Sequence, residues 1–228
     1  MSPVEPLLDH RDWGRREYGD SLAEMRALRA ERRRGEIPDT LVLVEHPAVI
    51  TVGVQGREGD VLPGDIPVFD VERGGKSTYH GPGQLVGYPI VDLTPRGRDV
   101  RRYVYDLEEV VIRALAETSI AAGRVEGQRG VWVDGRRKIA SVGIAVEEWV
   151  AFHGFAVNVD TDLSVFRSFR PCGLSGDVMT SVSRERGSTA SIDELRAPIV
   201  RAWETLFARP TRVADPGPVT LPSTPVLP

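Results

Sequence analysis

The chain contains a single cysteine, Cys172, in the run Phe169-Arg170-Pro171-Cys172-Gly173. A lone thiol forms no internal disulfide. It is either a small buried hydrophobe, the usual fate of a free cysteine, or a nucleophile that works as its thiolate. A second chemically dense stretch lies upstream, Arg73-Gly74-Gly75-Lys76-Ser77-Thr78-Tyr79-His80-Gly81-Pro82-Gly83-Gln84. Its glycines let the backbone approach a ligand closely and adopt positive φ. Glycine alone would mean no more than a tight turn. With Arg73, Thr78, Tyr79, His80 and Gln84 set among the glycines, the stretch reads as a pocket wall. It has neither the spacing of a P-loop nor that of a dinucleotide fingerprint. With glycines around it, His80 is expected in a site and not deep in a packed core, whereas His10 and His46 read as structural. No pair of histidines or carboxylates has metal-ligand spacing, and one cysteine disfavours a structural zinc, so no metal is expected.

These residues need elements to hold them. Tyr18, Leu22, Met25 and Leu28 recur at helical spacing and predict a helix over 9–34, ended by Gly35 and Pro38. Residues 40–54 are rich in Leu, Val and Ile and predict one or two buried strands around His46-Pro47. Residues 55–66 read as a loop. Short strands are expected at 68–71 and 86–93. The clearest helix is 99–122, with Val100, Tyr103, Val104, Leu107, Val111 and Leu115 on one face. Val131-Trp132-Val133, the turn dipeptide Asp134-Gly135 and the strand 138–146 form a hairpin pattern, and 152–159 is one more strand. A last helix covers 193–208, with Ser191 and Glu194 spaced as a capping box. The order predicts an α/β chain of the α+β type, a mixed β-sheet flanked by helices, and not a regular alternating Rossmann pattern. One catalytic domain is expected over 1–209, followed by a Pro-rich, loosely ordered tail at 210–228.

At 228 residues, 41% hydrophobic and 27% charged, the chain can bury a core without staples. No stretch is apolar enough to span a membrane, and residues 1–10 lack the apolar run of a signal peptide. With a single cysteine, this points to the cytoplasm. A net charge of −4 speaks against nucleic acid as a partner. Arginines nevertheless cluster at 32–34, 96–102 and 136–137, and one cluster is a candidate docking site for an acidic protein.

The glycine-rich stretch, followed by Tyr88-Pro89-Ile90, resembles the signature of the lipoyl(octanoyl) transferases of lipoate biosynthesis. Gly130-Val131-Trp132-Val133, Lys138-Ile139-Ala140-Ser141-Val142-Gly143, His153-Gly154-Phe155-Ala156-Val157-Asn158 and Pro171-Cys172-Gly173 match in order, over roughly residues 15–208. One departure is visible: Ala151 and Phe152 stand ahead of His153, where the family often has Thr. The resemblance implies the biotin/lipoate protein ligase catalytic fold. It implies Cys172 as the acyl-carrying nucleophile and Lys138 as its partner, with no cofactor. Substrate-binding residues would be Arg73, Gly74, Gly75, Lys76, Ser77, Thr78, Tyr79 and His80, then Ser141, Val142 and Gly143, then Gly154, Phe155 and Ala156. The donor would be octanoyl-acyl carrier protein. The acceptors would be lipoyl domains of 2-oxo acid dehydrogenase complexes and the glycine-cleavage H protein.

The chemistry suits these residues. A cysteine splits acyl transfer into a thioester exchange and an aminolysis. A free thiol is only a few per cent thiolate at neutral pH. Charged, Lys138 would stabilise the thiolate; neutral, it would carry the proton to the departing sulfur and later from the incoming amine. The second role needs a lysine that gives up its proton easily, which an apolar pocket supplies. Backbone N–H groups near Cys172-Gly173 and the glycine loop are the expected oxyanion donors. Burying about seven methylenes yields roughly 5 kcal/mol, so selectivity for chain length should fade gradually. Three other readings compete. An ATP-dependent lipoate or biotin ligase of the same fold needs no cysteine, and a non-catalytic acyl-binding module needs the pocket without the thiol. A cysteine hydrolase would release free octanoate. Arg136-Arg137, next to Lys138, is the expected carrier-docking patch.

Overall fold

A computed structural model describes residues 8–56, 65–167 and 176–208. Ten strands and four helices appear among them: β1 Leu8–Arg15, α1 Tyr18–Arg34, β2 Asp39–Glu45, β3 Val49–Val52, β4 Val68–Asp70, β5 Ser77–His80 and β6 Gln84–Asp92. They continue with α2 Val100–Glu117, β7 Ala122–Val125, β8 Gln128–Val133, β9 Arg137–Glu147, β10 Val150–Asn158, α3 Val182–Arg186 and α4 Asp193–Phe207. Seven strands form one sheet in the order β1-β2-β6-β10-β9-β8-β7, and β4-β3-β5 form a second, smaller one. β1 runs parallel to β2 and the other pairs of the large sheet are antiparallel. This is the expected mixed sheet with flanking helices.

Period-two alternation divides the residues of the central strands between two cores. Leu41 and Leu43 of β2, Leu85 of β6 and Val157 of β10 pack with α2 and α4. Val42 and Val44, Val86 and Tyr88, and Phe152 and Ala156 pack with α1 on the other side. A third cluster, Ile50, Tyr79, Phe166 and Met179, fills the small sheet.

Local chemistry sets the ends of the elements. The Asp99 carboxylate accepts from the Arg102 N–H at 2.9 Å and caps α2. Gly35 ends α1 at φ 73°. Asp134 and Gly135 both take positive φ, 50° and 65°, at the centre of a turn that the Arg136 N–H closes on the Val133 carbonyl at 3.0 Å. At α4 the Glu194 carboxylate accepts from the Ser191 N–H at 2.8 Å, one half of a capping box.

Three expectations are corrected. The helix expected over 9–34 begins only at Tyr18, where the apolar periodicity begins. Residues Leu8–Arg15 are instead an edge strand held by parallel pairing to β2, a partner more than 20 positions away that local sequence cannot reveal. The helix expected over 99–122 stops at Glu117, because Ser119 turns to φ 63° and Ala122–Val125 pairs with β8. The glycine-rich stretch contains a strand, β5, paired with β3. Cys172 and the tail at 210–228 lie outside the described residues. Among the described residues, no helix is long and apolar enough to cross a membrane.

Candidate active site

The cavity opens where the two sheets meet. β5 and the loop before it contribute Arg73, Thr78 and His80. β9 contributes Ser141, Val142 and Gly143, and β10 contributes His153, Gly154, Phe155 and Ala156. Tyr18 of α1 and Val86 and Tyr88 of β6 complete the lining. Nine of the residues singled out in the sequence therefore share one wall. Gly74, Gly75, Lys76, Ser77 and Tyr79 do not line it. They form the frame behind. The Gly74 N–H donates to the Ile144 carbonyl at 2.8 Å, tying the loop to β9. The Lys76 and Gly75 carbonyls accept from Gly53 and Gln55, each at 3.1 Å. Ser77 is fully buried, and Tyr79 packs edge-on against Phe166 at 5.6 Å.

Close strand approach shapes the wall. A β-carbon on Gly154 would fall 2.2 Å from the Gly87 carbonyl oxygen and 2.4 Å from Pro89 Cδ. β10 and β6 sit this close only because glycine stands there.

Arg73 supplies positive charge. It is 7% exposed, and one terminal nitrogen donates to both the carbonyl and the hydroxyl of Thr51, each at 2.8 Å. Beside it lies an aromatic and imidazole cluster. Tyr18 stacks on His80 with centroids 6.1 Å apart and meets His46 edge-on at 5.3 Å. His46 Nδ1 donates to the Arg16 carbonyl at 2.7 Å, so its Nε2 accepts from the Tyr88 hydroxyl at 2.8 Å. Burial lowers the basicity of His46, and burial followed by the neighbouring His46 lowers His80 to about 3. His153 is also pushed down, chiefly by burial. It takes φ 59° within β10, where the pairing to β6 is interrupted between Ala151 and Phe155, and its N–H contacts Met25 Sδ at 3.2 Å. Burial pushes the Tyr18 and Tyr88 hydroxyls up, so both stay protonated donors. His80 is thus more deeply buried than its glycine neighbours suggested, and it lines the cavity as expected of a site residue.

Lys138 opens β9 three residues before Ser141. It is 3% exposed, and its Nζ lies 5.5 Å from the centroid of the Trp132 ring. Among the described residues no carboxylate pairs with it. Its carbonyl accepts from the Thr180 N–H at 2.9 Å, and it forms a parallel bridge with Met179. Met179 and Thr180 are therefore fastened beside Lys138. Arg137 next to it is already engaged: it donates twice to the Glu185 carboxylate, at 2.8 and 2.9 Å, and once to Asp134 at 2.7 Å. The other arginine clusters are largely paired too, Arg32 and Arg96 with Asp39 and Arg102 with Asp106. Arg136 is exposed without an ion pair among the described residues.

Sequence reasoning missed Tyr18, Val86, Tyr88 and His153 as lining residues. Tyr18 carried a signal, its place on the apolar stripe of α1, but that stripe reads simply as core. His153 stood in a quoted motif with nothing local to mark its backbone. Among the described residues no three His, Cys, Asp or Glu side chains are placed to hold a metal ion.

Residues 17–204 match the family described as the lipoyl protein ligase A/B catalytic domain. The chain is 47% identical over 207 residues to a protein named probable octanoyltransferase from Pyrobaculum calidifontis, covering 91% of this chain and 88% of that one. It is 45% identical over 197 residues to a protein named octanoyltransferase from Geobacter metallireducens, covering 86% and 92%. In three dimensions it resembles a crystal structure of lipoate-protein ligase A bound with ATP, with a TM-score of 0.70 at 18% identity over 89% and 85% of the two chains. At that identity the likeness concerns the fold.

Proposed function

The chain belongs to the lipoyl protein ligase A/B catalytic-domain family and is an acyltransferase that moves octanoyl groups in protein lipoylation, and we propose that it works through a thioester on Cys172 with Lys138 as proton carrier. The observation that carries this reading is the buried Lys138 on the cavity strand β9, without a carboxylate partner among the described residues and bridged to Met179 downstream of Cys172. Seven positions separate Cys172 from Met179, which an extended chain spans in at most about 25 Å.

In the first step the Cys172 proton passes to Lys138 and the sulfur attacks the acyl carbonyl. The new C–S bond forms as the bond to the carrier sulfur breaks, and Lys138 returns the proton to that sulfur. In the second step a neutral lysine amine of the acceptor attacks the thioester. The C–S bond to Cys172 breaks, an amide forms, and the amine proton returns to Cys172 through Lys138. Val86, Val142, Phe155 and Ala156 offer apolar surface suited to the acyl chain. The donor in this reading is octanoyl-acyl carrier protein. Acceptors are lipoyl domains of 2-oxo acid dehydrogenase complexes and the glycine-cleavage H protein, and the setting is the cytoplasm. The catalytic unit is residues 1–209, with Arg73 to His80, Ser141 to Gly143 and Gly154 to Ala156 as substrate-binding segments.

The test is incubation with octanoyl-carrier followed by intact-mass measurement and peptide mapping. The expected result is one octanoyl group on the peptide holding Cys172, discharged by added lipoyl domain. Cys172→Ala and Lys138→Ala should each lower the rate by more than about 10³-fold. A requirement for ATP and magnesium, or full turnover by Cys172→Ala, would overturn the reading.

A further inference from the structure

Two buried carboxamides join the cavity to the strand that carries Lys138. Asn158, at the end of β10 and 1% exposed, donates from Nδ2 to the Thr180 carbonyl at 3.0 Å. Gln84, at the start of β6 and 2% exposed, donates from Nε2 to the Tyr79 carbonyl at 3.1 Å and to Asn158 Oδ1 at 2.9 Å. Gln84 Oε1 lies 2.8 Å from His80 Nδ1. Thr180 closes the chain by donating its N–H to the Lys138 carbonyl at 2.9 Å.

The direction of this chain is fixed by chemistry. A backbone carbonyl only accepts. The Thr180 carbonyl therefore turns the Asn158 nitrogen toward itself, and the Tyr79 carbonyl does the same for Gln84. The two constraints are independent and agree: Asn158 Oδ1 must face the Gln84 nitrogen, and Gln84 Oε1 must face His80. His80 Nδ1 consequently carries the hydrogen. The groups around the ring do not favour a second proton. Tyr18 stacks on it from α1, His46 approaches to 6.0 Å, and Arg73 and His153 lie in the same cavity lining. Burial in this company keeps the imidazole neutral.

We propose that Gln84 and Asn158 are positioning residues of the acyl-transfer reaction, which lock His80 as the Nδ1–H tautomer so that its Nε2 is a hydrogen-bond acceptor for an N–H donor of the substrate, and which fasten that ring to the segment paired with Lys138. A thioester carbonyl and its oxyanion have no hydrogen to give, so His80 does not stabilise them. The groups it suits are an amide of the carrier arm or the incoming amine. The kinetic part of this inference rests on the acyl-transfer reading above; the tautomer does not.

The test has two arms. In the protein labelled with ¹⁵N-histidine, the His80 ring, assigned by its loss in His80→Asn, should show hydrogen on Nδ1 and a bare Nε2, unchanged from about pH 5 to 8. Hydrogen on Nε2, or an imidazolium within that range, overturns the proposal. In the second arm Gln84→Met should lower kcat/KM by about 30-fold or more, and Gln84→Glu should stay within about 5-fold of the parent, because a carboxyl kept protonated by burial presents a carbonyl oxygen to Nδ1–H and an O–H to Asn158 Oδ1. A purely structural role predicts the reverse order, since a buried carboxyl costs more than a buried thioether. Met equal to or better than Glu would overturn the proposal, and if either variant fails to fold, the spectrum of the parent decides. The octanoyl adduct on Cys172 is read separately by mass, so failure of the thioester reading is distinguishable from failure of the tautomer lock.

Discussion

The same strands serve both sides of the large sheet, residue by residue in alternation, yet the two sides are built for different ends. On the α2–α4 side Leu, Val, Ile and Ala pack around Tyr103, Trp203 and Phe207. On the α1 side the apolar residues share space with Tyr18, Tyr88, His46, His80 and His153, whose polar atoms are threaded into hydrogen bonds or turned to the cavity. The α2–α4 side holds the fold chiefly by burial, although its Val142 and Phe155 also reach the cavity. The other spends part of its core on groups that must be desolvated and oriented, which costs stability unless each is partnered. Substitutions on the two sides should therefore separate stability from turnover.

Among substitutions that set the two sides against each other, the largest effect is expected at the point where β6 and β10 touch. Gly154→Ala forces a methyl against the Gly87 carbonyl and Pro89. It should lower kcat/KM by more than about 100-fold and cost about 1–3 kcal/mol of stability; near-normal kinetics would mean the close strand contact does not shape the site. Next comes Trp203→Ala on the opposite side. Trp203 is fully buried and stacks on Phe207 at 4.1 Å. About 3–5 kcal/mol should be lost, seen as a lower thermal midpoint, while kcat of the folded fraction at low temperature stays within about 2-fold. A large loss of kcat at full folding would erase the contrast between the two sides.

Acid should act on the α1 side first. An unfolded histidine protonates below about pH 6.5. His46, His80 and His153 are all held lower in the fold. Below 6.5 the unfolded chain thus binds more protons, and stability falls as pH falls. His80, at about 3, alone accounts for a loss of ~2 kcal/mol between pH 6.5 and 5. Thermal midpoints measured across that interval should drop, and less so in His80→Asn; a flat profile would deny the buried neutral cluster. The smallest effect is expected at the surface. Arg137 is neutralised by Glu185 and Asp134, which leaves Arg136 as the exposed member of the pair favoured for carrier docking. Arg136→Glu should raise KM for the acidic carrier by about 3-fold at low salt and flatten its salt dependence. An unchanged salt dependence would remove this patch from docking.

How much of this was legible in the sequence differs by kind of residue. The glycine-rich stretch was readable because glycine and its polar neighbours declare themselves locally. So were α2 and α4, whose faces repeat at 3.6, and the Asp134-Gly135 hairpin, whose turn chemistry is specific. β1 was not, because its pairing to β2 crosses the whole of α1. Tyr18 and His153 were not, because only sheet closure brings an α1 side chain and a β10 backbone to one cavity. His80 was read as a site residue outside the packed core; the rings that bury it come from α1 and from the end of β2, positions no local window includes.

The polar framework of the cavity has one more consequence. Its bonds join positions 42 apart in His46 and Tyr88, 74 apart in Gln84 and Asn158, and 128 apart in Met25 and His153. Such long loops close late. A nascent chain leaving the ribosome has no working pocket until the region around Thr180 has emerged, and on refolding from denaturant, catalytic activity should return with the slowest phase, well behind helix signal.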